Sequence, residues 1–212
     1  MRGWAGRRRR LRGGAFVTGA MLVVGLGNPG AEYAQTRHNA GFGVVAALAQ
    51  RRGARWSHPL GLRGEIAHCR LGAEVTLLRP LTFMNASGEA VRPLVRRLRL
   101  TPADVVLVYD DMDLPAGRLR LRAGGGPGGH RGVASVIAHL GTEAFPRVRV
   151  GIGRPPEGWD AADYVLSRMP AADLGSWQAA LDRAADAVEF VCARGLEPAM
   201  QRFNGSAEGD GR

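Results

Sequence analysis

Short apolar runs alternate along this chain with longer stretches in which apolar residues recur at helical spacing. Apolar runs of about four to eight residues bounded by turn residues are typical of buried strands, whereas apolar positions three and four apart indicate one face of a helix. The strand candidates are 21–26, 65–70, 74–78, 104–109 and 148–152. The helix candidates are 39–52, 91–98, 133–140 and a long segment at 174–188 that ends at Gly195. Strands interleaved with helices predict a single three-layer α/β/α domain with a mixed, mostly parallel central sheet.

The second helical pattern contains Pro93. Proline has no backbone N–H and its ring collides with the preceding turn, so it is tolerated mainly at the first position of a helix. We therefore expect this helix either to begin at Pro93 or to have a weakened first turn.

Arginines alternate with leucines after the strand candidate at 104–109. In an extended segment alternate residues point to the same face, so Arg118, Arg120 and Arg122 place three guanidinium groups on one face. The glycine-rich loop at 124–129 then leads into a helix whose first turn presents free N–H groups. The pattern predicts an anion-binding surface at this point of the fold.

The chain has 212 residues, of which 45% are apolar and 23% charged, values close to the averages of soluble globular proteins. These values argue against wholesale disorder and against collagen or coiled-coil architectures. The longest apolar run, 21–26, is far shorter than the roughly 20 residues that cross a bilayer, so no transmembrane helix is predicted. Cys69 and Cys192 lack the spacing of zinc ligands or of a redox dithiol, which argues against a structural zinc site and a disulfide scaffold.

The basic residues are all arginine: the chain has 29 of them, no lysine, and a formal net charge of +10. The absence of lysine excludes Schiff-base chemistry and a lysine general base. The planar guanidinium fork matches phosphate, so the excess of arginine favours a polyanionic partner such as nucleic acid. Six of these arginines fall within residues 1–20, and without them the net charge is +4, so the body of the chain is only mildly basic.

Residues 1–20 form a basic N-terminal extension that contains no acidic residue. Three interpretations fit this extension: a disordered tail, a targeting peptide, or translated sequence upstream of a true start at Met21. Export is disfavoured because no A-x-A cleavage site follows the basic segment, and a disordered tail or a mis-set start is expected instead. The folded domain is then predicted to span 21–204, followed by a polar C-terminal tail at 205–212.

The segment 25–30, GLGNPG, matches the GxGxxG pattern of dinucleotide-binding loops and follows a strand candidate. The match is incomplete, because no acidic residue lies about 20 residues further on and Pro29 suits a turn. The arginines within 51–55 could meet the 2′-phosphate of NADP instead, so NADP binding remains an alternative. A tight turn that places Asn28 is the favoured interpretation.

Three further polar segments could carry chemistry. His38 lies at the entry to the first predicted helix and suits a capping or core role or, with an orienting carboxylate, the role of a general base. Asn85 precedes the second predicted helix and fits an N-cap, or an amide that binds a carbonyl group. The three aspartates within 110–113 follow a strand and could bind Mg²⁺, but one carboxylate that orients a histidine is the simpler interpretation.

Five segments follow one another in order along the body of the chain. They are VVGLGNPGAEYAQTRHNAGF, RPLTFMNASGEAV, YDDMDLPAGRLRLRAGGGPGGHRG, RVRVGIGRP and DYVLSRM. Taken together they resemble the bacterial-type peptidyl-tRNA hydrolase family over about 21–204, and five ordered segments are far more specific than any one of them. The resemblance implies a monomeric, cytoplasmic α/β enzyme that uses no metal and no cofactor. Such an enzyme hydrolyses the ester between a peptide and the 3′-terminal ribose of tRNA, and so recycles tRNA lost from stalled ribosomes.

The resemblance also implies a role for each matching residue. His38 resembles the general base that activates water, and Asp110 resembles the carboxylate that orients it in its basic form. Asn28 and Asn85 resemble the amides that bind the peptide and ester carbonyls, and Asn28 would also distinguish a blocked amine from a free one. The residues implied at the 3′ end of the tRNA are Tyr33, Phe83 and Met84. The residues implied at phosphates near the acceptor stem are Arg120 and Arg122, with Arg149 adding to the basic rim.

The segment GGHRG departs from the family, which commonly has asparagine where this chain has Arg131. The arginine could still donate to the 3′ end or its phosphate, or stabilise an oxyanion, so altered binding is expected rather than lost activity. A non-catalytic RNA-binding relative of the same fold is the alternative function. The argument against it is the retention of His38, Asp110, Asn28 and Asn85. An esterase with a covalent intermediate is disfavoured, since Ser87 and Ser135 are predicted to lie in helices and no GxSxG elbow is present.

Overall fold

The computed structural model describes residues 19–205 and, nearer the N-terminus, the backbone of two short strands. These strands, β1 (Arg9–Arg10) and β2 (Phe16–Val17), pair with each other in antiparallel fashion. Apart from these strands and from residues 19, 20 and 205, the basic extension at 1–20 and the polar tail at 205–212 lie outside the described residues. The expectations for both segments remain predictions.

A six-stranded mixed sheet forms the centre of the structure. Its strands are β3 (Ala20–Gly25), β4 (Gly64–Arg70), β5 (Glu74–Pro80), β6 (Val105–Asp111), β7 (Leu119–Arg122) and β8 (Arg147–Gly151). Their order across the sheet is β4-β5-β3-β6-β8-β7. The central strands β5, β3, β6 and β8 run parallel, and β4 and β7 are antiparallel edge strands. The predicted mixed, mostly parallel sheet is confirmed.

Helices cover both faces of the sheet. They are α1 (Ala40–Arg51), α2 (Gly88–Arg97), α3 (Arg131–Leu140), α4 (Ala161–Leu166), α5 (Leu174–Arg194) and α6 (Leu196–Phe203). One apolar core lies between the sheet and α1, α5 and α6, and includes Val45, Leu48 and Val188. The second lies on the opposite face beneath α2 and α3, and includes Leu94 and Val136. The predicted three-layer arrangement is therefore confirmed.

Two of these helices, α4 and α6, are not indicated by the apolar pattern. Gly195, with a φ of 90°, separates α6 from α5. The short helix α4 begins at the N-cap Asp160, whose side chain accepts hydrogen bonds from the N–H groups of Ala162 and Asp163.

No helix within the described residues is long and apolar enough to cross a membrane.

Helix α2 passes through Pro93, so the first of the two alternatives for this helix, a start at Pro93, is wrong. Proline in a helix interior costs about 3 kcal/mol through the lost hydrogen bond and the steric clash. Pro93 lies on the exposed side of α2, while Val91, Leu94 and Val95 are buried on the opposite side. Burying a side chain of this size contributes about 1.5–3 kcal/mol. The packing of three such side chains therefore outweighs the effect of the proline.

The backbone of α1 lies directly against the ends of β3 and β6. A Cβ atom on Gly25 would collide with the carbonyl oxygen of Gly41, and a Cβ atom on Gly41 would collide with the backbone of Leu26 and Val108. The N–H of Phe42 donates to the carbonyl oxygen of Leu26 across this contact. Because α1 approaches so closely, the residues that precede it lie over the carboxyl ends of the parallel strands.

Candidate active site

Polar segments converge at the carboxyl ends of the parallel strands, where the ligand crevices of open α/β sheets lie. Asn28 follows β3, residues 83–85 follow β5, and Asp110 is the penultimate residue of β6. His38 lies in a 3₁₀ turn before α1, and His130 precedes α3. All of these residues line one cavity of about 1210 Å³.

His38 and Asp110 form a hydrogen-bonded pair in the wall of this cavity. The Nδ1 atom of His38 lies 2.9 Å from Oδ1 and 3.0 Å from Oδ2 of Asp110. Because an ionised carboxylate can only accept, Nδ1 carries a hydrogen and donates it, which leaves Nε2 as an acceptor in the neutral ring. The geometry therefore holds His38 in the tautomer that can take a proton from water.

The Asp110 carboxylate stays ionised although it is buried. Burial alone would raise the pKa of this carboxyl, but electrostatic attraction and hydrogen bonds from His130 and His38 hold the pKa well below its usual range. A charged carboxylate is thus available to orient an imidazole ring and to stabilise it when it becomes protonated.

His130 is a site residue that the sequence patterns do not single out. Its Nε2 lies 3.2 Å from Oδ1 of Asp110, and its ring packs edge-on against Tyr109 at a centroid distance of 5.0 Å. Its Nδ1 accepts hydrogen bonds from the N–H groups of Gly132 and Val133 and thereby caps the N-terminus of α3. The available sequence signal is the position of this histidine between a glycine-rich loop and a predicted helix start.

The three aspartates at the end of β6 and in the turn after it contact different partners. Asp111 accepts a hydrogen bond from Arg149, and Asp113 pairs with Arg154, while Asp110 contacts the two histidines. Each carboxylate is engaged separately, so this geometry does not favour a magnesium site built from the three.

Within the part of the chain that the structure describes, one cluster has the donor types and spacing to hold a metal ion. It consists of His38, Asp110 and His130, whose ligand atoms lie within 4.8 Å of one another. The same atoms already form the hydrogen bonds between these side chains. The expectation of a reaction without metal remains a prediction.

Asn28 is oriented by hydrogen bonds on its side chain and its backbone. Its Oδ1 accepts from the N–H of Met84 at 2.8 Å. Its backbone N–H donates to Oδ1 of Asn39 at 2.8 Å, and its carbonyl oxygen accepts from Nδ2 of Asn39 at 3.0 Å. Because Oδ1 is engaged, the Nδ2 group of Asn28 is the one left to donate to a ligand. Asn39, which holds this geometry, is a second residue that the sequence patterns do not single out.

Asn85 lies inside the 3₁₀ turn Met84–Ala86, and the N-cap of α2 is Ser87. The interpretation of Asn85 as only a helix cap is therefore wrong. Its side chain is exposed in the cavity wall. The neighbouring Phe83 is 61% exposed, so an aromatic ring stands free beside this amide.

The structure brings nearly all of the predicted site residues together. Those that line the cavity are Asn28, Tyr33, His38, Phe83, Met84, Asn85, Asp110, Arg122 and Arg131. Arg120 is half-buried and stands opposite Arg149 in the β7–β8 pairing, outside the cavity lining. Its contact with a tRNA phosphate remains a prediction.

The arginines around the cavity differ in how free they are to bind a ligand. Arg149 donates to Asp111; burial would lower the pKa of its guanidinium, but this hydrogen bond raises the pKa above its usual value. Arg122 and Arg131 are exposed and make no ion pair with any of the described residues. These two guanidinium groups are therefore the ones available for an anionic ligand.

Arg147 has a structural position beneath the glycine-rich loop at 124–129. It is 2% exposed and packs over the ring of Phe145 at 4.5 Å. Its guanidinium donates to the carbonyl oxygens of Gly126 at 2.8 Å and Glu143 at 3.1 Å. Arg147 thus fixes the loop that carries His130 into the site.

Arg37 connects the far wall of the cavity to the turn that carries His38. Its guanidinium donates to the carbonyl oxygen of Arg168 at 3.0 Å and lies 4.5 Å from the ring centroid of Tyr164. Tyr164 belongs to α4, which also contributes Leu166 to the cavity wall. The position of α4 is thereby tied to the position of the histidine.

Several known proteins are similar to this chain over most of its length. The peptidyl-tRNA hydrolase family model matches residues 22–210. The peptidyl-tRNA hydrolase of Symbiobacterium thermophilum is 50% identical over 188 residues, which cover 87% of this chain and 99% of that relative. The enzyme of Mycobacterium tuberculosis is 46% identical over 185 residues, or 87% of this chain and 97% of the relative. The crystal structure of peptidyl-tRNA hydrolase from Acinetobacter baumannii superposes with a TM-score of 0.82 at 35% identity, with 88% of this chain and 95% of that chain covered. The chain therefore belongs to the bacterial-type peptidyl-tRNA hydrolase family.

Proposed function

We propose that this protein uses His38 as a general base to hydrolyse the ester between a peptide, or an N-blocked aminoacyl group, and the 3′-terminal ribose of tRNA. The observation that carries this proposal is the geometry of His38 and Asp110, which leaves Nε2 of the histidine as an acceptor in the wall of a large cavity. A histidine base can activate water directly near neutral pH, so the step needs neither a metal ion nor a cofactor.

The reaction begins with a water molecule hydrogen-bonded to Nε2 of His38. His38 takes one proton as the water oxygen attacks the ester carbonyl, which gives a tetrahedral intermediate with an oxyanion. The bond to the ribose oxygen then breaks, and the imidazolium returns its proton to that oxygen. The products are a peptide with a free carboxyl group and a tRNA with a free 3′-hydroxyl. Asp110 stabilises the imidazolium between the two steps, and a general base of this kind contributes about 10²–10⁴-fold to the rate.

Asn28 and Asn85 supply amide donors for carbonyl groups of the substrate. The side-chain oxygen of Asn28 accepts from the N–H of Met84, so its Nδ2 group is directed to an acceptor on the substrate. A blocked amine carries a carbonyl that can accept this hydrogen bond, whereas a free ammonium group only donates. Asn85 can donate to the developing oxyanion, and loss of one such donor typically costs about 10²–10³-fold.

In this proposal the 3′ end of the tRNA contacts Tyr33, Phe83 and Met84. A terminal base can stack on an aromatic ring, and the ring of Phe83 is exposed, while Met84 offers a thioether in the cavity wall. The exposed guanidinium groups of Arg122 and Arg131 contact phosphates near the acceptor stem. Phosphate contacts position a substrate without reading its sequence, which suits an enzyme that must accept many tRNAs. Affinity should accordingly fall as salt is added.

The test is release of N-acetyl-aminoacyl groups from tRNA, measured with EDTA present and with unblocked aminoacyl-tRNA as the control substrate. We expect cleavage of the blocked substrate alone and its loss in His38→Ala. His68→Ala is the matched control, since His68 lies exposed on β4 and outside the cavity lining. Binding of tRNA without cleavage would favour the non-catalytic RNA-binding relative, with Arg131→Asn as the first reversion to make. Loss of activity in EDTA would contradict the metal-free mechanism.

The protein is further proposed to act as a monomer in the cytoplasm, with tRNA as its partner and no membrane partner. Sedimentation of the purified full chain should then give a mass near 22.6 kDa. Fractionation of the source cells should place the hydrolase activity with the soluble cytoplasmic fraction. A stable dimer, or activity that pellets with membranes, would contradict the corresponding proposal.

A further inference from the structure

His130 lies at a junction between α3 and the proposed base, and no step of the proposed hydrolysis uses it. Its side chain is 9% exposed, and its Nε2 lies 3.2 Å from Oδ1 of Asp110. Its Nδ1 lies 3.1 Å and 3.3 Å from the backbone nitrogens of Gly132 and Val133. Its ring centroid is 4.9 Å from that of His38. One partly buried imidazole therefore contacts a helix terminus on one side and the active-site carboxylate on the other.

The helix terminus determines which nitrogen of His130 carries the hydrogen. Backbone N–H groups can only donate, so the Nδ1 atom that they contact must present a lone pair. In the neutral ring the hydrogen is then on Nε2, which faces Asp110 and donates to it. A protonated ring would have to give up both hydrogen bonds to α3 and would carry its charge next to the positive end of that helix. The α3 terminus therefore favours one neutral tautomer of His130 in one orientation.

Asp110 consequently accepts hydrogens from two imidazole rings, from Nδ1 of His38 and from Nε2 of His130. The second hydrogen bond restrains the carboxylate, and the restrained carboxylate in turn fixes the ring of His38. We propose that His130 is a positioning residue for the hydrolysis, which holds Asp110 at a fixed place relative to the N-terminus of α3 and so keeps Nε2 of His38 directed at the attacking water. This inference rests on the proposed function and adds a residue to it.

The same hydrogen bond affects how strongly Asp110 stabilises a proton on His38. A carboxylate that already accepts a hydrogen from His130 attracts the imidazolium of His38 less than an unshared carboxylate does. Removal of His130 should therefore make the imidazolium more stable, and the acid limb of kcat/KM should move to higher pH. A residue that only capped α3 would leave the pH profile in place.

Two substitutions separate the two contacts of His130. His130→Asn keeps a side-chain oxygen that can cap α3, since asparagine is among the best N-cap residues, but its side chain is too short to reach Asp110. His130→Gln has the length to donate to Asp110 through its amide, but glutamine is not among the preferred N-cap residues. The first variant tests the contact with the carboxylate, and the second tests the contact with the helix.

We expect His130→Asn to keep a Tm close to that of the wild type and to lower kcat about 10-fold, with KM within about twofold. The acid limb of its kcat/KM profile should lie at higher pH. His130→Gln should have a lower Tm and should recover most of the lost kcat. A wild-type kcat and pH profile in His130→Asn would overturn the inference, as would losses of kcat in both variants that simply follow their Tm values.

Imidazole ¹⁵N NMR of the free protein gives a second readout that needs no substrate. The wild type should show the Nε2–H tautomer for His130 and the Nδ1–H tautomer for His38 at neutral pH. An active enzyme in which His130 carries its hydrogen on Nδ1 would overturn this inference alone. A protein that shows both expected tautomers and yet releases no N-acetyl-aminoacyl group would overturn the proposed function itself, and the catalytic importance of His130 with it.

Discussion

Asn39 holds the backbone of Asn28 from both sides, accepting from its N–H at 2.8 Å and donating to its carbonyl oxygen at 3.0 Å. Asn39 follows His38 in the same turn, so this contact fixes the distance between the proposed base and the amide proposed to bind a substrate carbonyl. The spacing matters because a misplacement of about 1 Å can cost roughly 10²-fold in rate.

Asn39→Asp should lower kcat about 10- to 100-fold, because aspartate has nearly the same shape but cannot donate to the carbonyl oxygen of Asn28. The matched control is Asn204→Asp, since Asn204 makes the same two hydrogen bonds to the backbone of Leu121 and does not line the cavity. Both variants should lose about 1–3 kcal/mol of unfolding free energy. The measurement is the kcat of each variant with N-acetyl-aminoacyl-tRNA. An equal fall in kcat in Asn39→Asp and Asn204→Asp would contradict the prediction.

Asp110→Asn should reduce kcat about 10²–10⁴-fold. An amide can donate to Nδ1 of His38 and so favour the tautomer whose Nε2 carries a hydrogen and cannot accept one from water. Asp113→Asn makes the same chemical change at a side chain that is 62% exposed, and it should leave kcat unchanged. A nearly wild-type kcat in Asp110→Asn would show that the reaction does not need this carboxylate.

The lowered pKa of Asp110 also predicts how stability depends on pH. The pKa of Asp110 in the folded protein lies below its ordinary value of 3.8. Above pH 3.8 the ionised carboxylate therefore contributes its full stabilisation of the folded protein. The contribution is lost as the pH falls below 3.8 toward the folded-state pKa. Urea unfolding should therefore show a larger stability difference between wild type and Asp110→Asn at pH 7 than at about pH 3. A difference that grows toward acid pH would have the wrong sign.

Arg131→Asn should raise KM several-fold and leave kcat nearly unchanged, because we propose that its exposed guanidinium at the cavity rim binds a phosphate of the tRNA. The slope of log KM against log salt concentration should fall by about one. Arg97→Asn is the control, since Arg97 is exposed on α2 and does not line the cavity. A fall in kcat at constant KM would instead place Arg131 at the oxyanion.

The two cysteines should be unreactive in the folded protein. Burial raises the pKa of Cys69 to about 11 and that of Cys192 to about 12. The thiolate is the reactive form, and almost none of either thiol is ionised at neutral pH. Iodoacetamide followed by mass spectrometry should label both residues in urea and neither in the native protein over the same time. Rapid native labelling of Cys69 would show that its surroundings open.

The central strands can be predicted from sequence because they are covered on both faces. In β3, Met21 and Val23 join the core beneath α1, while Leu22 and Val24 join the core beneath α2. A strand buried in this way is a continuous apolar run, which the sequence displays directly. Pro93 misleads for the opposite reason: the local rule against proline is correct, but the packing that overrides it involves residues distant in sequence.

The residues that position the site are harder to predict, because their roles depend on atoms that the fold brings near. His130 meets a carboxylate 20 residues away, and Asn39 meets a backbone 11 residues away. From the neighbouring sequence alone, an asparagine at a helix start is an ordinary N-cap, and a lone histidine there fits a capping or core role. The pairing of Arg149 with Asp111 likewise depends on the register between β6 and β8, which places Arg149 opposite Tyr109.

The backbone contact between α1 and the strand ends defines which parts of this protein can be redesigned. The separation of the His38 turn from the sheet is set at Gly25 and Gly41 by main-chain atoms, so exchanging apolar residues such as Leu48 should alter stability without moving the base. Any side chain at either glycine would lift the helix, and the histidine with it, away from the strands. A search for thermostable variants can therefore substitute apolar core residues, provided that Gly25 and Gly41 are kept as glycine.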